Sequence, residues 1–259
     1  MGAYEQVQAA RLPQRPDALQ YIRAMVSDFV ELYGDRRFAD DAALVAGLGY
    51  LGDVCVTVLA LEKGEDNLDR LRRNFGSAQP EGYRKALWHL TQAEKFRRPV
   101  LCLIDTAGAA CGIGAEERGQ GQAIAEMLHE MMGLHVPVLS LIIGEGGSGG
   151  ALALAAANRV WMLDGAVYSV LSPEGAASII WKDAAKVRQA SEALKLTAHD
   201  MLALGVVEGL IPEDEGFDAT AAAIGHKFSQ ALARYAGMSG EGILRERYRR
   251  FRKLGEGTP

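Results

Sequence analysis

A chain of 259 residues, 49% hydrophobic and 24% charged, can bury a sizeable core and has the balance of an ordinary globular protein. Its 33 acidic residues against 28 basic ones give a net charge of -5, which counts against a primary role on nucleic acid. No run approaches the ~20 apolar residues of a membrane span. The first twenty residues carry charges throughout and no apolar leader core, and the three cysteines (Cys55, Cys102, Cys111) form no C-x-x-C, which excludes a disulfide framework and a four-thiolate zinc site. A reducing, cytoplasmic setting is the expectation.

Leu19, Ile22, Met25, Val26, Phe29 and Val30 recur at helical spacing ahead of Gly34, which predicts an amphipathic helix over about 17–33. "ALVAGLGYL" and "VCVTVLAL" flank Gly52-Asp53 as a hairpin. A helix over about 81–96 then leads past Arg98-Pro99 into the apolar run "VLCLID". From there strand and helix alternate: "VLCLID", "AEERGQGQAIAEMLHEMM", "PVLSLII", "GGALALAAAN", "RVWMLD". That alternation predicts an α/β fold with a mainly parallel, buried sheet.

Ser172 followed by Pro173 reads as a helix start, and further helical patterns cover about 184–204 and 219–235. A basic helix over about 241–254, "ILRERYRRFRKLG", reads as a solvated or partner-facing face rather than a phosphate site. With no tandem repeat and no long linker, one domain over 1–259 is expected.

Chemistry concentrates in two glycine-rich turns, each following a buried strand: "IDTAGAACGIGAEERGQG" and "GEGGSGG". Adjacent parallel strands would bring both turns to one crevice at their carboxyl ends. The second turn fits three templates. Gly146-x-Ser148-x-Gly150 is the elbow of a serine hydrolase, but the histidines that follow, His199 and His226, fall inside helical patterns. Gly144-x-Gly146-x-x-Gly149, with Asp164 beyond it, has dinucleotide-fingerprint spacing, but the helix "ALALAAAN" is short and little sheet remains downstream. In the third reading no side chain reacts, and bare backbone N–H groups at a helix start face a developing negative charge.

The blocks "RRNFGSAQPEGYRKAL", "AEKFRRPV", "IDTAGAACGIGAEERGQGQAIA", "VPVLSLIIGEGGSGGALAL", "YSVLSPEGAASIIWKD" and "RYRRFRK" occur in that order. Together they closely resemble the carboxyltransferase α subunit of bacterial acetyl-CoA carboxylase, over about 15–253. The resemblance implies a crotonase-like fold, a spiral of ββα units with flanking helices. It also implies an α2β2 assembly with a carboxyltransferase β subunit that carries zinc and most of the acyl-CoA site, and dealings with a biotin carboxyl carrier protein and biotin carboxylase in the larger ATP-dependent complex. The implied substrates are carboxybiotin on its carrier and acetyl-CoA; the product is malonyl-CoA, for fatty acid synthesis.

By the same resemblance, the amides of Gly149 and Gly150 would face the biotin carbonyl oxygen, and a side chain at either position would obstruct the approach. Gly146, Gly147, Ser148, Gly108 and Gly112 would line the substrate crevice, with Glu116, Glu117 and Arg118 shaping it; Tyr168 and the stretch from Ser172 to Gly175 would support the glycine loop. Arg72, Arg73 and Arg84 are candidates for coenzyme A phosphates or the β subunit, against a solvated helix face. The chain departs from the family's Asp-Thr-Pro-Gly-Ala-Tyr-Pro-Gly turn at Ala107, Ala110 and Cys111, where Cys111 reads as a small loop filler. A second reading rests on that turn: a non-catalytic or altered-specificity paralogue that binds the β subunit or the carrier.

Overall fold

The computed structural model describes residues 2–255; Met1 and residues 256–259, the ends of the expected domain, lie outside the described residues. The chain opens with a helix the sequence pattern did not announce, α1 (Ala3–Ala10). Val7 and Ala10 bury against Val167 and Leu196, and Gln6 donates to the carbonyls of Asp164 and Ala166. Next comes α2 (Ala18–Met25), closed at its start by a capping box in which Asp17 and Gln20 satisfy each other's backbone N–H.

The helix expected over 17–33 ends at Met25. Val26 is already extended (φ -115°, ψ 111°), and β1 (Ser27–Glu31) pairs antiparallel with β2 (Leu44–Leu51). The apolar spacing of Phe29 and Val30 fits either element; ladder bonds to a preformed hairpin decide it. That hairpin is as expected, with β2 and β3 (Val54–Leu61) in register from Leu44↔Leu61 to Leu51↔Val54 around Gly52, whose φ is +58°.

After α3 (Asn67–Arg72), Pro80 begins α4 (Pro80–Phe96), and Arg97 in left-handed conformation ends it. β4 (Val100–Thr106) follows, buried at every position. The single helix expected next is two, α5 (Ile113–Glu117) and α6 (Gln120–Gly133), because Gly119 takes φ +81° between them. β5 (Val138–Gly147) runs past the apolar stretch to Gly147 and feeds α7 (Ser148–Ala155) directly; β6 (Arg159–Leu163) and β7 (Val167–Ser169) come after.

Ser172 caps α8 (Pro173–Ala176) by accepting from Gly175 N, and one π turn over 177–181 follows. The expected helix over 184–204 is divided into α9 (Val187–Ala193) and α10 (Ala198–Ala203). Lys195 turns at φ +51° so that Leu196 can bury, and Thr197 caps α10. β8 (Gly209–Ile211), α11 (Phe217–Tyr235) and α12 (Gly240–Lys253) complete the described chain.

The eight described strands form one mixed sheet, seven of them in the order β1-β2-β3-β4-β5-β6-β8 and β7 off this path beside β5. From β3 onward the neighbours are parallel. β5 changes partners along its length: residues 139–142 pair with β6, while 145–147 pair with β7. The sheet therefore splits at the carboxyl end of its central strand, the place where an open α/β sheet offers a crevice.

Candidate functional site

β4 and β5 lie side by side, and past a register shift Thr106 stands opposite Gly146, so the two glycine-rich turns leave the sheet together. The first turn closes on itself: Thr106 Oγ1 accepts from Gly108 N (3.0 Å) and donates to Gly108 O (2.8 Å). Gln120 Nε2 braces it from below by donating to the carbonyls of Ala78 and Ala110. Gly108 takes φ +149°, and Gly112, further along, takes φ +129° and is exposed.

The two turns touch backbone to backbone. A Cβ on Gly147 would stand 2.0 Å from Ala107 O, and one on Gly150 would stand 2.5 Å from Ala109 N and 2.8 Å from Tyr83 Oη. Gly144 and Gly146 are bare for related reasons, since Asp105 Oδ1 lies 2.4 Å and Tyr168 Cδ2 lies 2.8 Å from where their Cβ atoms would be. Gly149 differs: the nearest atom to its missing Cβ is an Ile124 methyl at 3.9 Å. The two glycines are therefore bare in different settings. Gly150 is buried and must be glycine to let the turns meet, whereas space beside Gly149 is open.

Ser148 sits on the elbow between β5 and α7 with φ +55° and is exposed. The strand–turn–helix geometry of a nucleophile elbow is therefore present, but its chemistry is not. His199 and His226 are exposed on α10 and α11, His226 bonding to Gln230, and no histidine lines the cavity beside Ser148 among the described residues. Asp164 ends β6, with its N–H on Ile211 O.

The first N–H groups of α7 have no partner inside the helix and carry the positive end of its dipole. Beside them opens a cavity of about 390 Å³ walled by Leu152, Val160, Tyr168, Val170 and Phe251, with Ser148 and Gly149 at its rim. An apolar slot with a few backbone donors is what a flat, largely apolar ring system with one polar edge requires. Tyr168 pairs with Gly146 across β5 and β7, in the supporting position expected of it.

Arg73 and Arg84 are placed otherwise than a solvated helix face would have them. Arg73, 6% exposed, donates to Asp69 and to Ala42 O. Arg84 reaches Asp35, Glu81 and Arg118 O, and Arg118 reaches Glu81 and Gln79. Arg84 and Arg118 brace α4 against the loop between α5 and α6. Arg72 remains exposed, paired with Asp69, and Glu116 and Glu117 are exposed on α5. Cys111 is exposed as well.

One cluster escaped the sequence reading. Lys63 Nζ lies 2.7 Å from Asp105 Oδ1 and 2.8 Å from Glu145 Oε2; Arg11 bridges Glu145 and Glu174, each at 2.7 Å; and Glu145 N donates to Asp105. Burial pulls the Lys63 amine down, but the two carboxylates outweigh it and hold it above its ordinary value. Burial likewise works against the Glu145 carboxylate, and Lys63 and Arg11 keep it below its usual range. This paired network fixes the ends of β3, β4 and β5 together. The sequence signal was a charged residue closing each apolar strand, in "LALEK", "LCLID" and "LIIGE".

The architecture is that of the crotonase-like carboxyltransferases. A transcarboxylase 12S structure with hydrolysed methylmalonyl-coenzyme A bound superposes with TM-score 0.72 at 21% identity, covering 89% of this chain and 44% of that one. A Pseudomonas malonate decarboxylase hetero-tetramer in complex with coenzyme A gives TM-score 0.68 at 21% identity, covering 84% of this chain and 92% of that chain. At these identities the likeness is one of fold.

Sequence relatives are far nearer. The family model for acetyl co-enzyme A carboxylase carboxyltransferase-like proteins matches residues 1–255. The acetyl-coenzyme A carboxylase carboxyl transferase subunit alpha of Ruminiclostridium cellulolyticum is 55% identical over 256 residues, covering 98% of both chains. That of Clostridium perfringens is 49% identical over 257 residues, covering 97% of this chain and 95% of the relative. The chain belongs to this family of acetyl-coenzyme A carboxylase carboxyltransferase α subunits.

Proposed function

We propose that the chain is the α half of a two-subunit carboxyltransferase that moves a carboxyl group from carboxybiotin, borne on a carrier protein, to acetyl-CoA, forming malonyl-CoA. The single observation that carries the reading is the backbone-on-backbone packing of the two glycine turns. It holds the start of α7 rigidly at the mouth of an apolar cavity.

The chemistry suits a site without an acid–base side chain. As the N–CO2 bond of carboxybiotin breaks, negative charge gathers on the ureido oxygen, and the N–H groups of Gly149 and Gly150 are the donors that receive it. The freed ureido nitrogen takes the methyl proton of acetyl-CoA, and the thioester enolate attacks carbon dioxide, so one C–N and one C–H bond are exchanged for one C–C and one N–H bond. Losing one preorganised donor of this kind costs about 3–4 kcal/mol of barrier. A β subunit would contribute the thioester's oxyanion donors, the zinc and most of the coenzyme A contacts. The setting would be cytoplasmic, and no helix among the described residues is long and apolar enough to cross a membrane.

The test is reconstitution. Mixed with a β subunit, the chain is expected to form malonyl-CoA from acetyl-CoA and carboxylated carrier, with propionyl-CoA assayed beside it. Turnover no better than the β subunit alone would overturn the assignment and favour a non-catalytic binding role.

A further inference from the structure

Helix α12 walls the apolar cavity with Phe251, while its other side lines a second, larger groove of about 960 Å³. Arg250 and Leu254 line both, so the groove begins where the cavity ends. Six cationic side chains border it, Arg159, Arg234, Arg245, Arg249, Arg250 and Lys253, against two carboxylates. Those carboxylates are used: Glu246 takes Arg159 and Arg234, and Glu208 takes Arg250.

Arg245, Arg249 and Lys253 are left over. They are exposed, and none has a carboxylate partner among the described residues. Spacing of four places them on one face of α12, where like charges repel along the helix. The helix dipole rewards a cation only in the last turn, so it accounts for Lys253 and not for Arg245 or Arg249. The packing of α12 depends on other residues, Ile243 and Arg247, which are buried. A cationic stripe of this kind in a chain of net charge -5 is a local field, and it borders a groove that shares Arg250 and Leu254 with the cavity.

We propose that this groove is the docking surface for an acidic face of the biotin-bearing carrier protein. The proposal rests on the carboxyltransferase reading. A biotin group tethered to a carrier enters the cavity only if the carrier settles within the tether's length of Ser148 and Gly149, so its footprint must fall around that mouth. Exposed charges at a rim raise the rate of encounter and set orientation more than they hold a complex together. The groove therefore acts on how readily the carrier finds the site, and not on the bond-making step.

The experiment uses the reconstituted complex with its β subunit, run in the direction that passes the carboxyl group of malonyl-CoA to either biotinylated carrier or free biocytin. The triple variant R245E/R249E/K253E is compared with the unsubstituted chain, and R245Q/R249Q/K253Q serves if charge reversal hinders folding. At low ionic strength the KM for carrier is expected to rise at least about tenfold, with kcat and the biocytin rate unchanged, and the gap is expected to narrow in about 0.5 M salt. An unchanged carrier KM would overturn the proposal, as would a biocytin rate that falls in parallel. Loss of binding to a single-stranded oligoribonucleotide with carrier kinetics intact would assign the groove to RNA instead. If the unsubstituted complex uses neither acceptor, the carboxyltransferase reading itself falls.

Discussion

Ser148 and Gly150, two positions apart, are held to opposite constraints. Gly150 has a common helical backbone and no room for a side chain; Ser148 has room and a left-handed φ of +55° that an L-residue adopts reluctantly. Gly150→Val is expected to force the 107–110 turn away, lowering turnover by at least about a hundredfold and stability by about 1–3 kcal/mol while assembly with the β subunit persists. Ser148→Gly should do the reverse for stability, adding up to about 1 kcal/mol in thermal unfolding, with turnover retained. Abolished turnover in a correctly assembled Ser148→Gly or Ser148→Ala complex would restore the hydroxyl to the chemistry. The glycines were legible as a turn at a strand end. The reason for them was not, because the atoms that forbid a Cβ at Gly147 and Gly150 belong to Ala107, Gly108 and Ala109, on the neighbouring strand's turn, and to Tyr83 on α4.

At the scale of elements, α12 shows how little a charge pattern says about which charge is inside. The basic terminal helix was evident in the sequence, yet nothing marks Arg247 among its neighbours as the one that is fully buried. Its guanidinium donates to Leu134 O, Val136 O and Asn158 Oδ1, and burial draws its pKa down to about 10. Arg247→Met keeps the length but strands the carbonyls of Leu134 and Val136, while Asn158 Oδ1 keeps its bond from Val138 N, and a loss of about 2–4 kcal/mol in denaturant unfolding is expected. A loss below about 0.5 kcal/mol would mean that these bonds do not anchor the helix. The misreading of 26–33 has a similar origin: apolar spacing there served two periods at once, and the choice was made by β2, which helical periodicity cannot see.

For the molecule as a whole, the alternation of strands and helices from Val100 onward was readable because its leading strands, β4 and β5, are buried on both faces and so open as nearly unbroken apolar runs. The ionic cluster of Arg11, Lys63, Asp105, Glu145 and Glu174 was not, since it joins residues from five distant segments. Stability should also carry a mark of buried charge at Glu62. This carboxyl is fully enclosed, accepting from Leu19 N and Gly64 N, and burial, helped by nearby Asp17, pushes its pKa up to about 7. A folded-state pKa above the unfolded one means that the native state holds the extra proton, so this group's contribution to stability falls as pH rises from about 4.5 to about 7. The amplitude is about 3 kcal/mol at most. Glu62→Gln should flatten that part of the stability–pH curve; an unaltered slope would place the titration elsewhere.

Two turns that interlock through main-chain atoms cannot open one at a time. Residues 105–110 and 144–150 should therefore behave as one cooperative unit in amide hydrogen exchange, with a common opening free energy set by whichever strand end is harder to free. A substitution at Gly150 would then speed exchange in the 105–110 peptide as well as in its own, so that damage to one strand's turn is felt as looseness in the other.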